Sequence, residues 1–119
     1  MAMDNASLLD LAVVWRQARE NHANYSATGD RETDIRFFAL GLAGEAGEVA
    51  NFVKKRWRDG DGHDADLRAE VADVFAYNIM LADALGMSPD DLIAEVARKQ
   101  QVFIAKMKAR AIATKDISQ

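Results

Sequence analysis

The chain has 119 residues, which is enough for one domain with a hydrophobic core but not for two. Half of the residues are hydrophobic, which excludes a disordered chain, and the absence of cysteine excludes disulfides and thiol chemistry. The net charge of −4 argues against a dedicated nucleic-acid binder, and no apolar run approaches the roughly 18 residues of a membrane span. We expect a single domain over residues 1–119, located in the cytoplasm, that binds neither nucleic-acid polymers nor membranes.

The first half of the chain predicts two helices joined by a loop. The first helix is expected over residues 7–22, with apolar side chains at helical spacing: Leu8, Leu11, Trp15 and Ala18. A polar loop is expected from Asn21 to Asp34. The second helix is expected over residues 33–57, and its inward stripe steps by three and four residues: Ile35, Phe38, Leu42, Glu45, Val49 and Phe52.

The second half predicts two more helices. A glycine-rich break over residues 59–62 precedes a third helix at residues 65–85, with the stripe Leu67, Glu70, Val74, Tyr77 and Leu81. Gly86 is expected to end that helix, and Ser88 and Asp91 to form the capping box of a fourth. The fourth stripe is Leu92, Val96, Lys99, Phe103 and Met107, and the polar tail at residues 114–119 is expected to fray. We therefore predict an all-α fold, an antiparallel four-helix bundle with its core at about residues 35–108.

Two pairs of carboxylates stand out within this pattern. Glu45 and Glu48 on the second helix, and Glu70 and Asp73 on the third, have i, i+3 spacing, which places each pair on one helical face. Glu45 and Glu70 also fall on the inward stripes, where an unpaired charge is costly. The pattern fits a site for a hard divalent cation such as Mg²⁺. The alternative is two solvated acidic faces, against which stand the small residues that flank the first pair, among them Gly44.

These motifs resemble those of the MazG-like all-α nucleoside triphosphate pyrophosphohydrolases, relatives of the dimeric dUTPases. The segment from Leu40 to Val49, LGLAGEAGEV, is similar to that family's L-x-x-E-x-G-E-L helix. The segment from Ala69 to Tyr77, AEVADVFAY, is similar to its E-L-A-D-V-L-x-Y helix. The resemblance covers about residues 37–103. One departure is Gly44, which stands where many members carry the first acid of a doubled Glu.

The resemblance implies an enzyme that cleaves a nucleoside or deoxynucleoside triphosphate into the monophosphate and pyrophosphate. It also implies a role in house-cleaning of the nucleotide pool. It implies that Mg²⁺, with Mn²⁺ as a substitute, is bound by all four carboxylates: Glu45, Glu48, Glu70 and Asp73. We assign catalytic roles to Glu45 and Glu48, with Glu45 as both ligand and water-orienting base. The alternative function is a non-catalytic helical module of the same fold that binds nucleotides or another protein.

Three further polar residues are candidates for substrate binding. Lys54 either meets the β- and γ-phosphates or complements the negative end of the second helix. Lys99 either binds phosphate or forms an ion pair with one of the stripe carboxylates. Asn78 lies one step off its stripe and is a candidate for hydrogen bonds to the base or sugar. The two histidines, His22 and His63, are expected at the surface.

The predicted helices carry more apolar surface than one small bundle buries. Several large side chains lie off the main stripes: Phe37, Val53, Phe75 and Ile79. An apolar surface of this kind suggests association between identical chains. We therefore expect a homodimer or homotetramer, and the resemblance implies the same.

Overall fold

The computed structural model describes residues 10–25 and 28–118. These ranges contain four α-helices and one short 3₁₀ turn, and no strand. The helices are α1 (Leu11–Tyr25), α2 (Arg31–Asp59), α3 (Asp64–Ala84) and α4 (Pro89–Ser118), with the 3₁₀ turn at Asp61–His63. The all-α prediction is confirmed, and the four-helix bundle stays a prediction.

The connection between α1 and α2 is shorter than the predicted loop from Asn21 to Asp34. Helix α1 continues to Tyr25, and α2 already begins at Arg31. Asp30 sets this earlier start, because its carboxylate accepts a hydrogen bond from the Thr33 backbone N–H at 3.0 Å and acts as the N-cap. The predicted start of α1 at residue 7 lies outside the described residues.

Helices α2 and α3 run antiparallel and pack along their lengths. Residues near the start of α2 contact residues near the end of α3, and residues near the end of α2 contact the start of α3 and the 3₁₀ turn before it. Gly41 meets Tyr77, the Phe52 and His63 rings lie 6.1 Å apart, and Arg56 Nε donates to Asp64 Oδ1 at 2.7 Å. This hairpin is the frame on which the two carboxylate pairs are placed.

The Gly41 contact shows how close the two helices come. A Cβ atom built on Gly41 would lie 2.2 Å from Tyr77 Cε1, which no real side chain tolerates. Glycine at this position therefore lets the tyrosine ring cross the α2 backbone. By contrast, a Cβ on Gly44 or Gly47 would meet nothing within 4 Å.

The buried core lies at one end of the hairpin, where α1 covers it. Trp15 of α1 is 1% exposed and Ile79 of α3 is fully buried. The other buried hydrophobic residues among those described are Phe38, Met80 and Ala82. Trp15 Nε1 donates to Asp83 Oδ1 at 3.2 Å, so the indole is both packed and hydrogen-bonded.

His22 and His63, both expected at the surface, are half-buried in the structure. His22 lies within α1, which continues to Tyr25, and it meets the buried Phe38 ring edge-on with centroids 4.8 Å apart. Burial lowers the pKa of His22, which favours the neutral imidazole.

Helix α4 belongs to a second compact unit, from Ser88 onward, and the first unit ends at Met87. The predicted capping box is confirmed: the Asp91 N–H donates to Ser88 Oγ at 3.1 Å, and the Ser88 N–H donates to Asp91 Oδ2 at 3.0 Å. The helix continues past Ala113 to Ser118, and the fraying of this tail stays a prediction.

Across the described part of the chain, none of the helices combines the length and the apolar character needed to cross a bilayer. The cytoplasmic location stays a prediction.

Candidate metal centre

Three of the four predicted carboxylates converge between α2 and α3. One carboxylate oxygen from each of Glu45, Glu70 and Asp73 lies within 4.8 Å of the other two. The i, i+3 spacing of Glu70 and Asp73 brings both to one side of α3, and the antiparallel register brings Glu45 opposite them. Glu45 and Glu70 are half-buried, whereas Asp73 is exposed.

Glu70 is the most perturbed member of this group. Hydrogen bonding to the Glu45 carboxyl favours the protonated form, and burial and the negative charges of Glu45, Asp73 and Glu48 add to this effect. Together they raise the pKa of Glu70 to about 7. Its Oε2 atom is buried and has no hydrogen-bond partner among the described residues.

This arrangement suits a divalent cation. Like charges at this separation repel one another, and a buried oxygen without a donor is unfavourable, so the cluster is unsatisfied in the protein alone. A hard cation would offset the charge repulsion and give the buried oxygen a partner, because Mg²⁺ binds carboxylate oxygens and keeps several of its waters. The residues present therefore fit a metal held by Glu45, Glu70 and Asp73.

Glu48 lies outside the converging group. It is exposed on α2, one turn beyond Glu45, although its charge contributes to the raised pKa of Glu70. The i, i+3 spacing places it on the same broad face as Glu45, but the structure turns Glu45 more directly toward α3. The roles of Glu48 as ligand and as catalytic residue stay predictions.

The three candidate substrate-binding residues are more scattered. Lys54 is exposed on α2, nine residues beyond Glu45, or about 13 Å along the axis at 1.5 Å per residue. Asn78 is half-buried on α3, one turn and a residue beyond Asp73. Lys99 lies on α4, in the second unit, where it lines a shallow groove beside Glu95 and Phe103.

A cavity of about 300 Å³ at the α1-covered end of the first unit was not predicted from the sequence. Its lining includes Arg19, Arg31 and Asp83, none of which lies on a predicted stripe. One feature of Asp83 could have indicated from the sequence that it needs a partner. It sits in the last turn of α3, where a carboxylate opposes the helix dipole, so it needs a cationic partner. That partner is Arg19, whose Nη2 lies 2.8 Å from Asp83 Oδ1.

Comparison with known families identifies the family of this chain. The family model described as the MazG nucleotide pyrophosphohydrolase domain matches residues 35–111, which include all four acidic residues. The chain belongs to the MazG nucleotide pyrophosphohydrolase family. The resemblance found in the carboxylate motifs is thereby confirmed at the level of the family.

This MazG-family chain is similar to the gene 37 protein of Mycobacterium phage L5. The two are 39% identical over 79 residues, which cover 60% of this chain and 69% of the phage protein. No solved structure matches the chain significantly.

Proposed function

We propose that this protein is a Mg²⁺-dependent pyrophosphohydrolase that cleaves a nucleoside or deoxynucleoside triphosphate to the monophosphate and pyrophosphate. The observation that supports this most strongly is the convergence of Glu45, Glu70 and Asp73 around a buried oxygen without a partner, in a chain of this family. A role in controlling the nucleotide pool, with Mn²⁺ able to replace Mg²⁺, belongs to the same proposal.

The chain's own residues divide the work of the reaction. Glu45, Glu70 and Asp73, with Glu48 joining from the next turn, would hold the metal. A bound Mg²⁺ would polarise the phosphoryl group and lower the pKa of a coordinated water. Glu45 orients the attacking water and accepts its proton as the oxygen adds to the α-phosphorus. The bond from that phosphorus to the bridging oxygen breaks, and pyrophosphate leaves.

We assign Lys54 and Lys99 to binding the phosphates of the substrate. Lys54 is exposed and forms no ion pair within the described residues, so it is available to an anion. Lys99 is exposed on α4. Asn78, half-buried and next to Tyr77, is assigned a hydrogen bond to the sugar or base.

Association as a homodimer or homotetramer is part of the proposal. Leu40 is 74% exposed, and Phe75 and Val71 are about half exposed on the same hairpin. A shallow apolar groove beside them is lined by Ala46, Val49, Val71 and Val74. An uncovered apolar surface of this kind favours a second copy of the chain. Light scattering coupled to size-exclusion chromatography measures the assembly directly, and a monomer at micromolar concentration would contradict this part.

The second candidate function is a non-catalytic nucleotide- or protein-binding module. Gly44 favours it, because this position carries no acid and faces open space. A pyrophosphate-release assay over all common ribo- and deoxyribonucleoside triphosphates with Mg²⁺ separates the two functions. Turnover of at least one substrate supports the enzyme, whereas complete inactivity of folded protein supports the module.

Single substitutions then test the assigned roles. Because a positioned base contributes on the order of 10²- to 10⁴-fold, Glu45→Gln is expected to lower kcat by about that factor. Glu48→Gln and Asp73→Asn are expected to lower turnover strongly while the circular dichroism spectrum stays unchanged. Asp66→Asn is the matched control on α3, because Asp66 is exposed and outside the cluster. An unfolded Asp73→Asn protein would indicate a structural carboxylate instead.

A further inference from the structure

The interface between α2 and α3 has a contact in which an aromatic ring packs directly against a helix backbone. A Cβ atom on Gly41 would lie 2.6 Å from Cδ1 and 2.7 Å from Cζ of the Tyr77 ring. Carbon atoms in ordinary contact are about 3.5–4.0 Å apart, so the ring fills the space that a side chain at this position would need. Because glycine has no side chain that could change its rotamer, the ring meets the α2 backbone itself.

The Tyr77 ring is also connected to the buried core. Its centroid lies 6.2 Å from that of the His22 ring on α1. His22 in turn meets the Phe38 ring edge-on, with centroids 4.8 Å apart, and Phe38 is buried. Side chains that pack together in this way have little freedom to move independently. The position of the tyrosine ring is therefore set by the same packing that forms the core.

This contact and the carboxylate cluster occupy neighbouring levels of the α2–α3 interface. Glu45 lies four residues after Gly41 on α2. Asp73 lies four residues before Tyr77 on α3. Four residues span about 6 Å at 1.5 Å per residue, and both steps run in the same direction because the helices are antiparallel. One helical turn therefore separates the ring from the level at which the three carboxylates converge.

The contacts on the other side of the cluster are more distant. The Phe52 and His63 rings lie 6.1 Å apart, and Phe52 is seven residues, or about two turns, beyond Glu45. The ion pair between Arg56 and Asp64 lies farther still, and its side chains are 54% and 41% exposed. Ion pairs at the surface contribute only about 0–1 kcal/mol. Of these contacts, the packing of the tyrosine ring on glycine lies nearest to the cluster.

The spacing of the two helices matters because Mg²⁺ is demanding about its ligands. It requires nearly octahedral geometry with bonds of about 2.0–2.1 Å, whereas Ca²⁺ accepts less regular geometry at about 2.3–2.6 Å. A Cβ on Gly41 would force the ring or the helix to move by about 1 Å to reach an ordinary contact distance. Binding sites need their groups held to within about 0.5 Å. A displacement of this size, one turn from the carboxylates, would disturb a site that fits Mg²⁺.

We propose that Tyr77 is a positioning residue for the metal site, and that its ring, packed against Gly41, sets the helix separation at which the cluster prefers Mg²⁺ to Ca²⁺. The proposal rests on the proposed function, because it takes the carboxylate cluster as the Mg²⁺ site. Tyr77 acts only through the position of α2 relative to α3, without binding the metal or the substrate. Its ring carries this role, and its hydroxyl group does not.

Calorimetric titration of the metal-free full chain with MgCl₂ and with CaCl₂ tests this role. Gly41→Ala is expected to raise the Kd for Mg²⁺ by about 10- to 100-fold, as is typical when a residue that orients metal ligands is changed. The Kd for Ca²⁺ is expected to rise less, so the preference for Mg²⁺ over Ca²⁺ falls at least several-fold. Partial unfolding would weaken the binding of both ions by the same factor. An unchanged ratio of the two Kd values in Gly41→Ala would therefore overturn the proposal.

Gly44→Ala is the matched control for this titration. It adds the same methyl group next to Glu45, at a position where a Cβ meets nothing within 4 Å. It is expected to keep the wild-type ratio of the two Kd values, and a shift as large as that of Gly41→Ala would contradict the proposal.

Two variants test the same contact from α3, including the case in which Gly41→Ala does not fold. Tyr77→Phe keeps the ring and is expected to keep the wild-type ratio of the two Kd values. Tyr77→Leu removes the ring and is expected to lower the preference for Mg²⁺ at least several-fold. Equal ratios in these two variants would refute the role of the ring.

Metal binding separates this proposal from the proposed function, because the titration requires no hydrolysis. A lowered Mg²⁺ preference in Gly41→Ala and Tyr77→Leu would support the positioning role even if the protein released no pyrophosphate from any triphosphate. Turnover by the wild-type protein, with the same ratio of Kd values in every variant, would leave the hydrolase function standing and refute the positioning role. A wild-type protein that binds neither ion would overturn both.

Discussion

Two levels of the α2–α3 hairpin are built from the same helical stripes but have opposite environments. At one level the stripe residue Phe38 packs with Ile79 and Met80 beneath Trp15 of α1, and all are buried. Two turns along α2, the stripe residue is Glu45, and it faces Glu70 and Asp73 while Gly44 and Gly47 border open space. Helical spacing predicted both levels as inward, and within the described part of the first unit α1 covers the level of Phe38.

The difference shows how a small helical protein builds a core and a site on one frame. The covered level supplies the apolar burial that stabilises the fold. The carboxylate level keeps like charges together, which is unfavourable by itself. The cluster is maintained because the buried core at the covered level and the Gly41–Tyr77 contact hold α2 and α3 in register. Substitutions at the two levels should therefore have different consequences.

The largest expected effect is at the covered level. Trp15→Ala is expected to lower the free energy of unfolding by about 3–5 kcal/mol, because it empties a fully packed site. Trp57→Ala is the control, since Trp57 is 91% exposed, and in a monomer it should change stability by no more than about 0.5 kcal/mol. Urea unfolding followed by circular dichroism measures both, and equal effects would contradict the role of α1 as the cover.

The next effect belongs to the carboxylate level. At a Mg²⁺ concentration about 100 times its Kd, the free energy of unfolding is expected to rise by about 2.7 kcal/mol. Asp73→Asn should abolish most of this rise, while the exposed Asp66→Asn control should keep it. Thermal melts with and without Mg²⁺ give the comparison, and wild-type melts that do not respond to the metal would favour two merely solvated acidic faces.

A smaller pair of effects compares two glycines one turn apart. Gly41→Ala is expected to destabilise the fold by about 1–3 kcal/mol, because its Cβ overlaps the Tyr77 ring. Gly44→Ala is expected to stabilise it by up to about 1 kcal/mol, because the position is open and helical. Chemical unfolding at two protein concentrations measures both. A destabilised, concentration-dependent Gly44→Ala protein would show that a second copy covers this backbone.

The smallest effect is on the pH dependence of stability without metal. The pKa of Glu70 is raised from about 4.5 to about 7, so the folded protein binds more protons than the unfolded chain between these values. Stability is therefore expected to fall as the pH rises through this window, and to level off above it. Glu70→Gln should flatten the curve, whereas Glu20→Gln on α1 should not. A wild-type stability that rises with pH across this window would refute the hydrogen bond between protonated Glu70 and the Glu45 carboxyl group.

Much of the local structure was predictable because local chemistry determines it. The Ser88–Asp91 capping box is determined by neighbouring residues, and so is the end of α3 at Ala84, two residues before Gly86 with its φ of 79°. The start of α2 was misplaced because the loop-forming residues before it obscured the N-cap role of Asp30. The extension of α1 to Tyr25 was missed for the same reason, and with it the packing of His22.

The candidate site was predictable in part. The i, i+3 spacing identified Glu70 and Asp73 as one face of α3, and the structure places both beside Glu45. The same spacing did not indicate that Glu48 would remain exposed, because the rotation of α2 about its axis depends on what packs against it. Arg19 and Asp83 are 64 residues apart, and no periodic pattern links them.

By itself, the sequence determined the helices, the capping box at the start of α4 and the four carboxylates that mark a MazG-family chain. Each of these depends on hydrogen bonds and spacings within a few residues, which the order of amino acids specifies directly. Only the tertiary structure decided that Glu45, Glu70 and Asp73 meet, that Tyr77 crosses Gly41, and that a cavity forms beside the Arg19–Asp83 pair. These features depend on how helices distant in the chain are rotated and aligned, and side-chain packing across their interfaces sets that alignment.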